Sequence, residues 1–253
     1  MIAETNILET EAADIRIILG DQRNGKSTIA TGFAIDDYIA HMENIISPDG
    51  DWIKAKCLTR DELDWLWKKG IKAYPVTHCR IFRGGESKII EIPPKFMVDS
   101  QVKIFANYTL YGVYYVPLDM YTLIDNINGD LIKDAYVLMD ESAMTDARDS
   151  MTTEGKMTAK FGAQVGKRHL HFCNISQNWA IVESRYRAFK TTSIWCTYDK
   201  EAHIIECDIQ QKGEDSYSEE LYAPPYWRFF DSSEIVKVPQ HRVDAALARI
   251  NGR

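Results

Sequence analysis

Short apolar runs recur along the chain and predict β-strands that are buried on both faces. They fall at residues 15–19, 102–105, 113–116, 135–139, 169–175, 193–198 and 203–209. Segments with helical spacing lie between several of these runs, notably from residue 26 to about 42 and at 121–127. Strands that alternate with helices predict an α/β fold, in which a mostly parallel sheet has helices on both faces.

Residues 50–97 interrupt this alternation. Thr59 and Glu62 have the spacing of a capping box, and Gly70 is a typical helix stop, so a short helix is predicted between them. A β-hairpin is predicted from two strand-like runs around a Gly-Gly turn, at 78–82 and 88–92. We therefore expect a small helix-plus-hairpin insertion within the α/β fold.

Length and composition are those of one globular domain. The 253 residues are 45% hydrophobic and 26% charged, which suits a single sizeable core. We expect a single domain over 1–253, with the insertion at about 50–97 and a C-terminal strand and tail extension at about 200–253. The five cysteines lack CxxC spacing, and Cys173 and Cys196 lie in apolar runs, so buried free thiols are predicted.

The N-terminus is acidic, and no apolar run is long enough to cross a bilayer. These features predict a protein that stays in the compartment where it is made and has no transmembrane segment of its own. The net charge of −7 argues against a surface coated for nucleic-acid binding. Residues 156–190 are nevertheless strongly basic, so the net charge does not exclude a local basic patch that binds nucleic acid.

The run at 15–19 leads directly into a phosphate-binding loop. Gly20 to Ser27 fits the pattern G-x-x-x-x-G-K-[ST], and a helical pattern follows it. The glycines let consecutive N–H groups point at phosphate oxygens, while Lys26 reaches the β- and γ-phosphates. The alternative is a glycine turn with a surface lysine. The predicted ATP-binding residues are Gly20, Asp21, Gln22, Arg23, Asn24, Gly25, Lys26, Ser27 and Thr28.

A second site element follows the apolar run at 135–139. Asp140 is placed to hold Mg²⁺ together with Ser27, and Glu141 to polarise the attacking water. The alternative is two acids that cap the next helix. Gln177 comes two residues after the run at 169–175, where a polar sensor residue would contact the γ-phosphate. This combination predicts the additional-strand class of P-loop ATPases.

Several arginines surround the sensor segment. Arg168 precedes it, and Arg185 and Arg187 follow it. An arginine supplied to a neighbouring subunit could stabilise the charge that develops on the transferred phosphoryl group. The alternative is a solvated or DNA-facing charge.

Four stretches together resemble the HerA/FtsK superfamily of DNA-pumping ATPases, especially its small viral, genome-packaging and zonula occludens toxin-like forms. They are ILGDQRNGKST, AYVLMDES, KRHLHFCNISQN with VESRYR, and YWRFFDSSEIV. The resemblance implies a three-layer, RecA-like P-loop ATPase in which Lys26, Ser27, Asp140, Glu141 and Gln177 hydrolyse ATP. Arg168 or Arg185 would then reach a neighbouring subunit's site. A ring of five or six subunits around double-stranded DNA is also implied.

On this basis the leading expectation is a DNA translocase that packages a viral genome, located in the host cytoplasm or at a capsid vertex. The first alternative is a filament-assembly or secretion ATPase that moves protein and binds a membrane partner. A small-molecule kinase and a non-hydrolysing nucleotide switch are further alternatives. A kinase would require lid arginines that the sequence lacks, and the pair Glu141 and Gln177 disfavours the switch.

Overall fold

The computed structural model describes residues 13–118, 132–140, 163–180, 182 and 184–231. Its strands are β1 (Asp14–Leu19), β2 (Met42–Ile46), β3 (Trp52–Cys57), β4 (His78–Arg83), β5 (Glu86–Glu91), β6 (Met97–Ser100), β7 (Lys103–Ala106), β8 (Val116–Pro117), β9 (Ala135–Met139), β10 (Leu170–Ser176), β11 (Thr192–Asp199), β12 (Ile204–Gln211) and β13 (Tyr217–Tyr222). Its α-helices are α1 (Lys26–Ala40), α2 (Arg60–Lys68) and α3 (Ser184–Phe189). Within the described residues, 3-10 helices span Gly166–Arg168 and Pro224–Phe229.

The larger sheet has eight strands in the order β13-β12-β11-β1-β10-β9-β7-β8. The six strands from β11 to β8 are mutually parallel, and β12 and β13 extend the β11 side in antiparallel fashion. Strand β10 lies between β1 and β9, which is the arrangement predicted for the additional-strand class. The prediction of an α/β P-loop fold with a mostly parallel sheet is confirmed.

Apolar side chains fill a core on each face of this sheet. Ile18 of β1 packs on the face that α1 covers, together with Phe33 and Ile35 of the helix. Ile17 and Leu19 point to the opposite face and join a second core that contains Val137 and Phe172. Because both faces are covered, the strands are apolar at almost every position, which explains why their runs stand out in the sequence.

A second, five-stranded antiparallel sheet has the order β5-β4-β3-β2-β6. It contains the predicted hairpin as β4 and β5, and helix α2 begins at the predicted capping box, where the Glu62 carboxylate accepts from the Thr59 N–H at 2.8 Å. Strands β2, β3 and β6 were not expected, so this sheet extends from Met42 to Ser100. Its side chains share one core with α1, which therefore lies between two sheets.

Smaller differences from the predicted elements have local causes. Helix α1 ends at Ala40, slightly before the predicted end near Met42. The run at 113–116 contributes only a bridge at Val113 and the two-residue strand β8, because a proline ends it at once. The predicted helix at 121–127 lies outside the described residues.

All five cysteines are free thiols, and four of them are buried, as predicted. Among the helices in the described part of the chain, none is both long enough and apolar enough to cross a membrane.

Candidate nucleotide-binding site

The loop between β1 and α1 needs both of its motif glycines. Gly20 has φ of 148°, and a Cβ added there would lie 2.6 Å from the carbonyl oxygen of Cys196 on β11. Gly25 has φ of 81°, and its missing side chain leaves room for Ile205 of β12. Any larger residue would strain the backbone and push the loop away from β11 and β12. The motif therefore fixes a tight loop against the edge of the sheet.

No side chain caps the amino end of α1. Gly25 is its N-cap and supplies no side-chain hydrogen bond, and its first turn contains no acidic residue. The N–H groups of that turn point out of the helix, where the macrodipole favours negative charge. The Lys26 Nζ, which is largely buried, donates to the carbonyl oxygen of Asp21 at 2.6 Å, so its charge lies inside the loop. This arrangement fits a polyphosphate.

Ser27 and Asp140, 113 positions apart in the sequence, come together at this edge. The Ser27 hydroxyl donates to the Asp140 carboxylate at 2.5 Å. A hydroxyl and a carboxylate are the oxygen ligands that Mg²⁺ takes beside a bound triphosphate. The residues present thus fit Mg²⁺, which when bound would neutralise charge on the phosphate oxygens. The predicted pairing of these two residues is present in the structure.

Asn107 was not predicted as a site residue, yet it fixes the position of Asp140. Its side-chain amide donates to the Asp140 carbonyl at 2.8 Å, and its side-chain oxygen accepts from the Asp140 N–H at 2.8 Å. Asn107 directly follows β7, just as Asp140 directly follows β9. A polar residue immediately after a buried strand was therefore the signal that could have identified it.

The residue after Asn107 ties this support to α1. The Tyr108 hydroxyl and the Thr31 hydroxyl lie 2.9 Å apart in the interior, and one donates to the other. Burial raises the pKa of Tyr108 well above its ordinary value, so the phenol stays protonated. The residues that follow β7 thus bind both Asp140 and helix α1, and so fix Asp140 relative to Ser27 on that helix.

Gln177 lies at the same edge of the sheet. It directly follows β10, whose last residue, Ser176, pairs with Leu19 at the end of β1. Its side chain is exposed between the phosphate loop on β1 and Asp140 after β9. The role of Gln177 as a sensor stays a prediction. Glu141, the predicted water-polarising residue, lies outside the described residues.

Arg168 lies at the other end of the sheet. It precedes β10, and therefore sits at the amino ends of the parallel strands, away from the phosphate loop of its own chain. Its guanidinium donates to the Gln164 side-chain oxygen at 2.9 Å and to the Ile132 carbonyl at 3.2 Å. A role in a neighbouring subunit stays a prediction. The Arg185 side chain lies outside the described residues.

In the described part of the basic segment, two cationic side chains lie over one aromatic ring. The Lys190 Nζ lies 4.6 Å from the centre of the Trp179 ring, and the Arg187 guanidinium lies 5.8 Å from it. Trp179 in turn packs against Trp195 with ring centres 6.3 Å apart. Lys156 and Lys160 lie outside the described residues. This Trp179 patch combines positive charge with exposed aromatic surface.

A buried ionic cluster occupies the amino end of β1 and β10. Asp14 accepts from the Arg16 Nε at 2.5 Å and lies 3.0 Å from the His171 Nδ1. His171 stacks on Tyr136, and Arg16 lies over the Phe33 ring with 4.2 Å between guanidinium carbon and ring centre. Asp14 and Arg16 are almost fully buried. This cluster is part of the core.

No protein-family model and no curated protein sequence matches this chain. Among solved structures, it is similar to the N-terminal domain of zonular occludens toxin from Neisseria meningitidis, with a TM-score of 0.49 and 11% identity over 87% of this chain and 100% of that one. It is also similar to the flagellar accessory protein FlaH from Methanocaldococcus jannaschii, with a TM-score of 0.41 and 8% identity over 90% of this chain and 91% of that one. Likeness at this level carries no argument about activity. The strand order and the loop geometry themselves make this chain an α/β P-loop domain.

Proposed function

We propose that this protein binds ATP with Mg²⁺ and hydrolyses it. The observation that carries the proposal is the contact between Ser27 and Asp140, at 2.5 Å, beside a phosphate loop at the uncapped end of α1. The loop N–H groups and Lys26 would hold the phosphates, while Ser27 and Asp140 would hold the metal. Asn107 is a positioning residue, because it acts on the chemistry through Asp140.

The hydrolytic step is assigned to Glu141 and Gln177. Glu141 would accept a proton from the attacking water, and Gln177 would orient that water toward the γ-phosphate. A bond forms between the water oxygen and the γ-phosphorus. The bond between the γ-phosphorus and the oxygen that bridges it to the β-phosphate breaks, which releases ADP. Arg168 or Arg185 of a neighbouring subunit would stabilise the charge on the transferred group. That assignment requires a neighbouring subunit, and the sequence resemblance implies a ring of five or six subunits.

We further propose that hydrolysis drives movement of double-stranded DNA, as in a viral or mobile-element packaging motor. Support comes from the sequence resemblance and from the Trp179 patch, where Arg187 and Lys190 meet an aromatic ring. Cations bind the DNA backbone without sequence preference, which suits a motor. Movement of protein by a membrane-bound assembly or secretion ATPase is the alternative function.

The experiment compares phosphate release from ATP with and without linear double-stranded DNA. A Lys156→Glu, Lys160→Glu, Lys167→Glu triple variant should lose DNA stimulation and keep basal hydrolysis. The control is a Lys54→Glu, Lys56→Glu, Lys88→Glu triple variant, which makes the same change in net charge at three exposed lysines of the antiparallel sheet. It should behave as wild type. Glu141→Gln should abolish hydrolysis in both conditions.

The outcomes separate the two candidate functions. Stimulation by DNA that only the first triple variant loses supports the DNA motor. A wild-type rate of hydrolysis that is the same with and without DNA contradicts the DNA motor. It favours the alternative function, movement of protein. Hydrolysis that survives Glu141→Gln would remove Glu141 from the mechanism.

A further inference from the structure

We propose that Tyr198, His203 and Trp227 form the nucleobase-binding corner of the ATP site. This inference rests on the proposed function, since it requires the phosphates to lie in the loop 20–25. It assigns a recognition role to three residues that the phosphate motifs do not include. The ligand they would take is the flat heterocycle of a nucleoside phosphate.

The strand order decides on which side of the loop the base must lie. Asp140 follows β9, so the metal and the γ-phosphate belong on the β10 and β9 side of β1. A triphosphate is a linear chain, and its nucleoside is at the end opposite the γ-phosphate. The base is therefore directed toward β11 and β12, which lie on the other side of β1.

Strands β11 and β12 touch the loop where the corner begins. The Cys196 carbonyl of β11 approaches Gly20, and the Ile205 side chain of β12 approaches Gly25. Tyr198 lies directly opposite Ile205 in the antiparallel pair. Since alternate residues of a strand share a face, Tyr198 is on the face of Cys196, which packs with α1. The corner thus lies on the same face as the anion-binding end of α1.

The three rings have a shape that suits a base. The Tyr198 hydroxyl and the His203 Nδ1 lie 2.9 Å apart, which joins the rings by their edges, and the ring planes differ by only 24°. They form an almost flat floor. Trp227 stands at 87° to His203 with ring centres 5.3 Å apart, as a wall on that floor. His203 and Trp227 are exposed, with 44% of Trp227 accessible.

This cluster has no evident role in the core, because two of its three rings are exposed rather than packed. Flat aromatic surfaces bind any nucleobase by stacking. The pair Trp179 and Trp195 is the rival platform. Trp195 points to the face opposite α1, since its neighbours Ile194 and Cys196 face the helix. Its partner Trp179 already carries two cations, so it is a poorer candidate for the nucleoside.

The test compares the affinities of full-length variants for ADP and for inorganic pyrophosphate, each with Mg²⁺, by titration calorimetry. Both probes fill the same phosphate positions, but only ADP has a base, and neither requires hydrolysis. Trp227→Ala and His203→Asn should each bind ADP about ten-fold more weakly and pyrophosphate as tightly as wild type. Asparagine is chosen because His203 has φ of 57°, a conformation that it tolerates.

Four further variants complete the design. Trp227→Phe should recover most of the ADP affinity, since it restores an aromatic face. Trp195→Ala tests the rival platform, and Trp52→Ala, which removes an exposed tryptophan of the antiparallel sheet, is the matched control. Both should leave the two affinities unchanged. Lys26→Ala should weaken binding of both probes.

Each result decides the matter. Loss of ADP affinity alone in Trp227→Ala and His203→Asn, with recovery in Trp227→Phe, supports the corner. Unchanged ADP affinity in these variants, while Lys26→Ala loses both probes, overturns the corner but leaves the nucleotide site standing. Full binding of both probes by Lys26→Ala overturns the nucleotide site, and the corner with it.

Discussion

The two ends of the parallel sheet contain similar residue types in opposite settings. At the carboxyl ends of the strands, the phosphate loop, Ser27, Asp140 and Gln177 surround the uncapped end of α1, and several of their polar groups are exposed. At the amino ends, Asp14 and Arg16 pair with each other inside the core. Acids and bases are present at both ends, but those at the carboxyl end surround the phosphate loop, whereas Asp14 and Arg16 are almost fully buried.

The difference follows from strand direction. Loops that leave the carboxyl ends of parallel strands converge with helix amino ends, where N–H groups point outward and attract anions. At the amino ends no such donors converge, so buried charges must pair with one another. The residues around the phosphate loop should therefore govern activity with little effect on stability, and the buried pair Asp14 and Arg16 should do the reverse. The predictions below test that division.

The largest effect is expected from Asp14→Ala. Removal of one partner leaves Arg16 as a buried charge without its carboxylate, which should cost about 3–5 kcal/mol in free energy of unfolding. Thermal unfolding should shift down by roughly 10 °C. Urea denaturation followed by fluorescence measures the loss, and ADP affinity of the folded protein should not change.

A double variant sharpens this prediction. Asp14→Leu with Arg16→Met replaces the pair by apolar side chains of similar size and should recover much of the stability. A weaker ADP affinity in either variant, at temperatures where the protein is folded, would contradict the structural role of the cluster.

Asp140→Asn should have the converse effect. The amide keeps an acceptor for the Ser27 hydroxyl but removes the charge that a divalent cation requires, so phosphate release should fall about 100-fold or more. Unfolding free energy should change by less than about 0.5 kcal/mol. Phosphate release and urea denaturation of the same preparation give both values. A large loss of stability would place Asp140 among the core charges instead.

Asn107→Ala should affect both properties moderately. The Asp140 N–H and the Asp140 carbonyl each lose a hydrogen bond to the Asn107 side chain, and the loss of such a buried bond costs about 1–3 kcal/mol. Hydrolysis should fall about ten-fold as the carboxylate becomes less well positioned. Asn178→Ala is the control at the same edge, because the Asn178 side chain bonds only to the Ala180 N–H among the described contacts. Equal effects of the two substitutions would show that Asn107 has no special role.

The last prediction concerns pH and Asp36 of α1, which lies beside Tyr226. Burial raises the pKa of Asp36 to about 7, the nearby Asp37 adds to this rise, and the hydrogen bond from the Tyr226 hydroxyl at 2.9 Å partly opposes it. In the unfolded chain the pKa is about 3.9. The folded state therefore binds the extra proton, and this contribution to stability is complete below pH 4 and is lost as pH rises to about 7.

Asp36→Asn should remove that part of the pH dependence and be more stable than wild type above pH 7. Urea denaturation between pH 4 and 8 measures the slope. Asp49→Asn, an exposed loop substitution, should retain the wild-type slope. A variant slope identical to that of wild type would mean that the Asp36 carboxyl is already ionised at pH 4.

The parallel sheet was predictable because its central strands β1, β9 and β10 are apolar on both faces, and Asp140 and Gln177 directly follow two of them. The phosphate loop is a local pattern, and its geometry needs no distant information. Asn107 was missed because it begins a stretch that reads as a turn. Its position directly after a buried strand was the available sequence signal, and the contact with Asp140 shows what it does.

The antiparallel sheet was predicted only in part. Its strand β3, with the sequence WIKAKC, has several exposed positions, so the apolar signal is weak. Pairing is also distant, since Ile45 of β2 lies opposite Val98 of β6. One clue was present in α1, which is apolar around its circumference at Ile29, Phe33 and Ile35. A helix of this kind must be covered on more than one side.

The most direct test of the account is phosphate release from Mg-ATP by the wild type and by Lys26→Ala, over protein concentrations that allow assembly. Lys68→Ala, an exposed lysine of α2, is the matched control. The account predicts release by the wild type and Lys68→Ala, and a rate at least about 100-fold lower for Lys26→Ala. Equal rates for all three, or no release by the wild type at any concentration, would contradict the assignment of an ATP-hydrolysing site to the carboxyl end of the sheet.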